Sequence, residues 1–148
     1  MDKIKIAVGS DHGGFELKAK IISHLEEKGI AVDDCGCYSA NSVDYPDIAE
    51  TVCKGVSEGK YERAILICGT GIGISIAANK MHGIRAALCH SCFDARMSRM
   101  HNDANVLCLG ARTTGIGVAL DIVDSYMASS FEGGRHVNRV DKIMKLEK

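Results

Sequence analysis

The chain has 148 residues, 46% apolar and 25% charged, with a net charge of −1 at pH 7. That length suits a single domain and that composition a globular one. The near-neutral charge leaves no overall basic field to draw the protein to nucleic acid or membrane, and no apolar run approaches the ~20 residues of a membrane span.

The seven cysteines are odd in number and lie mostly inside apolar runs, and no leader-like segment stands before the first expected strand. They read as reduced thiols of a cytoplasmic protein. Cys35-x-Cys37 and Cys89-x-x-Cys92 lack two clean CxxC pairs, so no metal is expected.

Lys3 to Gly9 alternates and then turns fully apolar, as an N-terminal core strand would. Ser10-Asp11-His12-Gly13-Gly14 is a turn. Phe15 to Lys28 places Leu17, Ile21, Ile22 and Leu25 on one helical face, with Gly29 set to end it. Ile30 to Gly36 is a second strand, and a polar loop runs from Tyr38 to Tyr45. Pro46 stands where a first helical residue often does, and Ile48, Ala49, Val52, Cys53 and Val56 stripe that helix. Ala64 to Ile67 is a third strand that ends in Cys68. Gly69, Gly71 and Gly73 follow at alternate positions, then a helix over 74–81. Ile84 to Cys89 is a fourth strand, Cys92 to His101 a short helix, and Val106 to Leu109 a fifth strand closed by Gly110.

Thr113 to Ser130 reads as a helix apolar nearly all round, which must be sandwiched in a core or covered by another subunit. Gly133-Gly134 breaks it. A last helix from Arg135 carries Arg135 and Arg139 on one face. Strands alternating with helices predict one three-layer α/β/α Rossmann-like domain over 1–148, around a parallel sheet of about five strands.

The junction at Cys68 is strand, glycine loop and helix N-terminus, the place where open α/β sheets hold ligands and where backbone amides favour an anion. It is not a P-loop, because no lysine follows Gly73, nor a dinucleotide fingerprint, because Ile74 stands where a third glycine belongs. Asp11 in the first turn would repel a pyrophosphate. Asp11 and His12 after strand one, Cys68 and Thr70 after strand three and Arg112 after strand five should converge on one rim. A thiol, imidazole, carboxylate, hydroxyl and amide donors together suit proton transfer. Each also has a plainer reading. A cysteine ending an apolar strand is commonly core, His12 can cap a turn, His101 can sit on the surface, and Arg135 and Arg139 can form a solvated face.

In their sum these segments resemble the ribose/galactose isomerase family. They are GSDHGG at 9–14, DYPD at 44–47, CGTGIGISIAANK at 68–80, GIRAAL at 83–88, SRMHNDANVLCLGAR at 98–112 and EGGRHVNRV at 132–140. The resemblance, to the ribose-5-phosphate isomerase branch, implies cofactor-free interconversion of ribose 5-phosphate and ribulose 5-phosphate in the pentose phosphate pathway. It implies a homodimer with active sites between subunits, and leaves open whether dimers pair into tetramers. By it, Cys68 is the proton-abstracting base and His101 the ring-opening acid/base, with Thr70 and Asp11 assisting. Asp11, His12, Tyr45, Gly69, Thr70, Gly71, Ile72, Gly73, Asn102, Arg112, Arg135 and Arg139 match substrate-binding positions, the two arginines of the last helix taking the phosphate. A branch of the family carries a glutamate base where Ile74 stands, which leaves Cys68 as the candidate here. Isomerases of galactose 6-phosphate or allose 6-phosphate, and a non-catalytic sugar-phosphate sensor, are the competing readings.

Overall fold

The computed structural model describes residues 5–147. The first two residues of the expected N-terminal strand, Lys3 and Ile4, and the terminal Lys148 lie outside them. Five strands, β1 (Lys5–Ser10), β2 (Ala31–Asp34), β3 (Arg63–Cys68), β4 (Ala86–Leu88) and β5 (Val106–Gly110), form one sheet in the order β2-β1-β3-β5-β4. All pairings are parallel. Six helices join them: α1 (Phe15–Glu27), α2 (Tyr45–Ser57), α3 (Ile72–Asn79), α4 (Cys92–Asn102), α5 (Ile116–Ala128) and α6 (Arg135–Met144).

The central strands β1, β3 and β5 are apolar on both faces because both faces are covered. On one, Ile6, Val8, Ile65, Ile67, Leu107 and Leu109 pack against Leu17, Ile21 and Leu25 of α1 and Ile122, Val123 and Tyr126 of α5. On the other, Ala7, Ala64, Leu66, Cys68, Val106 and Cys108 meet Val52, Cys53 and Val56 of α2 and Ile74 and Ala78 of α3. The period-2 alternation of strand side chains thus places Cys68 on the α2/α3 side.

Several boundaries differ from the sequence reading. The helix expected from Thr113 begins at Ile116, because Thr113 and Thr114 turn back to donate their amides to the Gly110 carbonyl. It is apolar nearly all round, yet Ile116 and Val118 stay about half exposed (50% and 52%), so within one chain its outer face has no cover. The helix after the glycine loop begins two residues early, at Ile72. Nothing in the composition foretold Lys18, which is buried on α1 and bonded through Nζ to Asp34 Oδ1 at 2.5 Å.

The strand order determines where a ligand goes. The chain leaves β1 toward β2 on one side and leaves β3 toward β4 on the other. The crevice between the carboxyl ends of β1 and β3 is therefore the switch point of the sheet. Ser10 pairs with Ile67 and Cys68 with Gly110, so Asp11, Cys68 and the β5 exit emerge together.

Candidate active site

At the switch point Cys68 is 4% exposed, and its sulfur accepts the amide hydrogen of Gly71 at 3.1 Å. The donor comes from the residue that caps the first turn of α3, so the sulfur faces a backbone N–H at the positive end of that helix. Among the described residues no other thiol accepts a backbone amide hydrogen. Burial in the apolar layers pushes Cys53 up to about 12 and Cys89 up to about 11, and raises Cys108 well above an ordinary thiol.

Gly71 makes the geometry possible. It caps α3 at φ +78°, and a Cβ there would lie 2.5 Å from Leu88 Cδ1 and 2.9 Å from the Leu109 carbonyl carbon. Gly71→Ala is therefore expected to destabilise the fold by about 1–3 kcal/mol, measured as a lowered urea midpoint, and to lower activity by moving the amide off the sulfur. A midpoint equal to wild type would refute it.

The first turn and the exits of β3 and β5 lie close together: a Cβ on Gly13 would lie 3.3 Å from Asp11 Oδ1 and 3.5 Å from the Gly69 nitrogen. Asp11 Oδ1 accepts from the Gly14 amide at 3.1 Å and is itself buried. His12 Nδ1 accepts from the Val43 amide at 3.2 Å, tying the polar loop to the first turn. A Cβ on Gly69 would lie 3.6 Å from the Cδ of Arg112, whose amide donates to the Gly69 carbonyl at 2.9 Å. The Tyr45 ring covers Gly73 so closely that a Cβ there would meet its Cζ at 2.5 Å. Not all loop amides are free. Gly71 is committed to the sulfur and Ile72 to Thr70 Oγ1 at 3.2 Å, whereas the amides of Gly69, Thr70 and Gly73 have no hydrogen-bond partner among the described residues. Ile72 itself is half exposed at the helix start (52%), and Ile74 is in the core.

His101, Asn102, Arg135 and Arg139 gather elsewhere. The His101 ring, in the last turn of α4, stacks on His136 with centroids 4.3 Å apart and planes 13° from parallel. Glu132 Oε2 lies 3.3 Å from His136 Nε2. The Glu132 amide donates to the Met100 carbonyl at 3.0 Å, so α6 starts against the end of α4. Arg135 and Arg139 are exposed, and among the described residues neither guanidinium has a hydrogen bond or ion pair. The α4 exit is held by Arg99 Nη1 on Asp103 Oδ1 at 2.9 Å and by Arg85 Nε on the Asn102 carbonyl at 3.0 Å. Sequence reasoning missed His136 and Glu132. The signal was their four-residue spacing in the segment that also supplied the two arginines.

Arg85 immediately precedes β4, so its bond to Asn102 puts that residue at the amino end of the sheet. α4 leaves the carboxyl end of β4, runs for 11 residues and delivers the chain to the start of β5. Those 11 residues span about 16 Å. In one chain the Cys68 group and the His101 group therefore occupy opposite ends of the sheet.

A doubly covered parallel sheet, with a glycine loop, a helix start and a buried thiol at its switch point, defines a Rossmann-like α/β protein of the kind that holds its ligand at this edge. The chain belongs to the Ribose/Galactose Isomerase family, whose profile matches residues 6–143. It is 50% identical to ribose-5-phosphate isomerase B of Escherichia coli strain K12 over 97% of this chain and 96% of that protein. It is 42% identical to D-erythrulose-4-phosphate isomerase of Pectobacterium atrosepticum, covering 95% of this chain and 93% of that protein. Among solved structures, the Clostridium thermocellum ribose-5-phosphate isomerase B superposes with a TM-score of 0.95 at 53% identity, over 97% of each chain. No helix among the described residues is long and apolar enough to cross a membrane.

Proposed function

We propose that the protein interconverts ribose 5-phosphate and ribulose 5-phosphate, an aldose–ketose isomerisation of the pentose phosphate pathway that needs no cofactor. The observation that carries the reading is the Gly71 amide held on the buried sulfur of Cys68 at the switch point. Cys68, as thiolate, takes the proton from carbon 2 of the open-chain aldose and returns it to carbon 1. The amides of Thr70 and Gly73 and the Thr70 hydroxyl stabilise the enediolate between the two transfers, at about 3–4 kcal/mol per donor. Sugar phosphates rest mostly as rings, so the reaction also needs an acid/base at the ring oxygen, and His101 fills that role with Asp11 assisting. Arg135 and Arg139 bind the phosphate through paired N–H groups, with Arg112 and His12 beside them. Gly69, Gly71, Ile72, Tyr45 and Asn102 line the sugar.

These roles require two chains. Cys68, Asp11, His12 and Arg112 of one subunit meet the partner subunit's His101, Asn102, Arg135 and Arg139, so the working unit is a homodimer with its sites at the subunit boundary. The exposed Ile116 and Val118 of α5 supply apolar surface for that contact. The seven unpaired cysteines suit a reducing compartment, and the protein works in the cytoplasm.

A second reading, another sugar phosphate on the same machinery, is favoured by the likeness to the Pectobacterium protein named for a four-carbon substrate. Galactose 6-phosphate and allose 6-phosphate belong to the same comparison. Turnover with four-, five- and six-carbon sugar phosphates tests both, with ribose 5-phosphate expected to give the highest kcat/KM. A higher value for any other sugar overturns the assignment. Binding without carbon-2 proton exchange overturns catalysis altogether.

A further inference from the structure

We propose that His101, Glu132 and His136 form a binding site for a divalent transition-metal ion, with zinc as the best chemical match. Their donor atoms all lie within 4.8 Å of one another, the only such group among the described residues. The His136 side chain is 7% exposed, and its Nε2 is fully buried without a hydrogen-bond partner. Glu132 Oε2 is close enough to pair with it, at 3.3 Å, but lies off the direction a ring N–H would need. A buried nitrogen left in this state is costly. A metal ion resolves it by taking the imidazole lone pair and the carboxylate charge at once.

Two imidazoles and one carboxylate are a donor set zinc takes with a position left open for water or substrate. The fold assembles it from three places: the last turn of α4, the residue before Gly133-Gly134, and the first turn of α6. Nitrogen and oxygen ligands around a tetrahedral ion sit about 3.3 Å apart. Parallel rings aim their lone pairs along parallel lines, so the half-buried His101 must turn out of its stack on His136 to share an ion with it. Glu132, whose side chain is 43% exposed, rotates to close the remaining gap from 4.8 Å, while His136 stays fixed. Arg135 and Arg139 oppose a cation here, but they are exposed and screened by water and salt. The cysteine pairs that the spacing singled out, Cys35 with Cys37 and Cys89 with Cys92, are the competing ligands for the same metal.

Cobalt distinguishes these sites. Metal-stripped protein titrated with Co²⁺ should bind one equivalent with the ligand-field bands of a nitrogen–oxygen site and no thiolate charge-transfer band, and Zn²⁺ should displace it. Glu132→Gln and His136→Ala should each weaken Co²⁺ binding at least about 10-fold, the scale that even a lost supporting contact reaches at a metal site. Because Glu132 is exposed, Glu132→Gln keeps the fold, and Zn²⁺ should raise the melting temperature of wild type but not of this variant. A charge-transfer band, equal affinity in both variants, or no binding to folded wild type overturns the proposal. The titration contains no substrate, so it stands or falls separately from the isomerase reading. Where that reading holds, Zn²⁺ occupies His101 and inhibits turnover until a chelator is added.

Discussion

Cys68→Ala is expected to lower kcat for ribose 5-phosphate by at least about 10²–10⁴-fold, the scale of a lost acid/base group. Solvent deuterium should also stop entering at carbon 2, as read by proton NMR. The variant carries a structural penalty that must be separated from the chemical one. Cys68 is buried, and its sulfur is the acceptor for the Gly71 amide. Removing it leaves that N–H unpaired, at about 1–3 kcal/mol. Cys68→Ser makes the separation. Its hydroxyl still accepts from Gly71, so stability should return toward wild type. A serine hydroxyl gives up its proton far less readily than a thiol, so turnover should stay low. Near-normal turnover in either folded variant refutes the base assignment. The neighbouring sulfurs do not substitute, because burial holds Cys53 near 12 and Cys89 near 11.

The rim around Cys68 was legible in the sequence because it is made by local rules. Alternation along β3 sets which way the Cys68 side chain faces, glycine at the helix start sets the turn, and parallel strands bring their carboxyl ends to one edge. Asp11, Thr70 and Arg112 follow strands directly, so their place needed no knowledge of packing. What stayed hidden depends on contacts between segments distant in the chain. Tyr45 opens α2, and no local pattern says that its ring will cover Gly73. Lys18 reads as a surface lysine of an amphipathic helix until Asp34 is seen beside it. His101 was recognisable only through family likeness, and its stacking on His136 joins two helices separated by a strand and another helix. The apolar stripe of α5 marked a buried helix, but its ends were blurred because Thr113 and Thr114 extend the pattern while bonding to Gly110.

Two inactive variants should restore each other when mixed. Cys68→Ala disables the half-site at the carboxyl ends of the strands, and His101→Ala disables the half-site at the end of α4. If each active site joins one half from each chain, a homodimer of either variant has no intact site. A mixed dimer has one site with both lesions and one with none. Unfolding and refolding an equal mixture makes half the dimers mixed, so roughly a quarter of wild-type activity should return. Arg135→Ala in place of His101→Ala should complement Cys68→Ala in the same way, because α6 begins against the end of α4 and Arg135 belongs to the same half-site. His101→Ala mixed with Arg135→Ala should not recover, since every site then draws its α4/α6 half from a chain that carries one lesion or the other. The opposite outcome, no recovery with Cys68→Ala and the mixed species confirmed by native mass spectrometry, would mean that one chain closes the site by itself. The 11 residues of α4 hold the two groups about 16 Å apart along its axis in one chain, so recovery tests the folded architecture and the chemistry together.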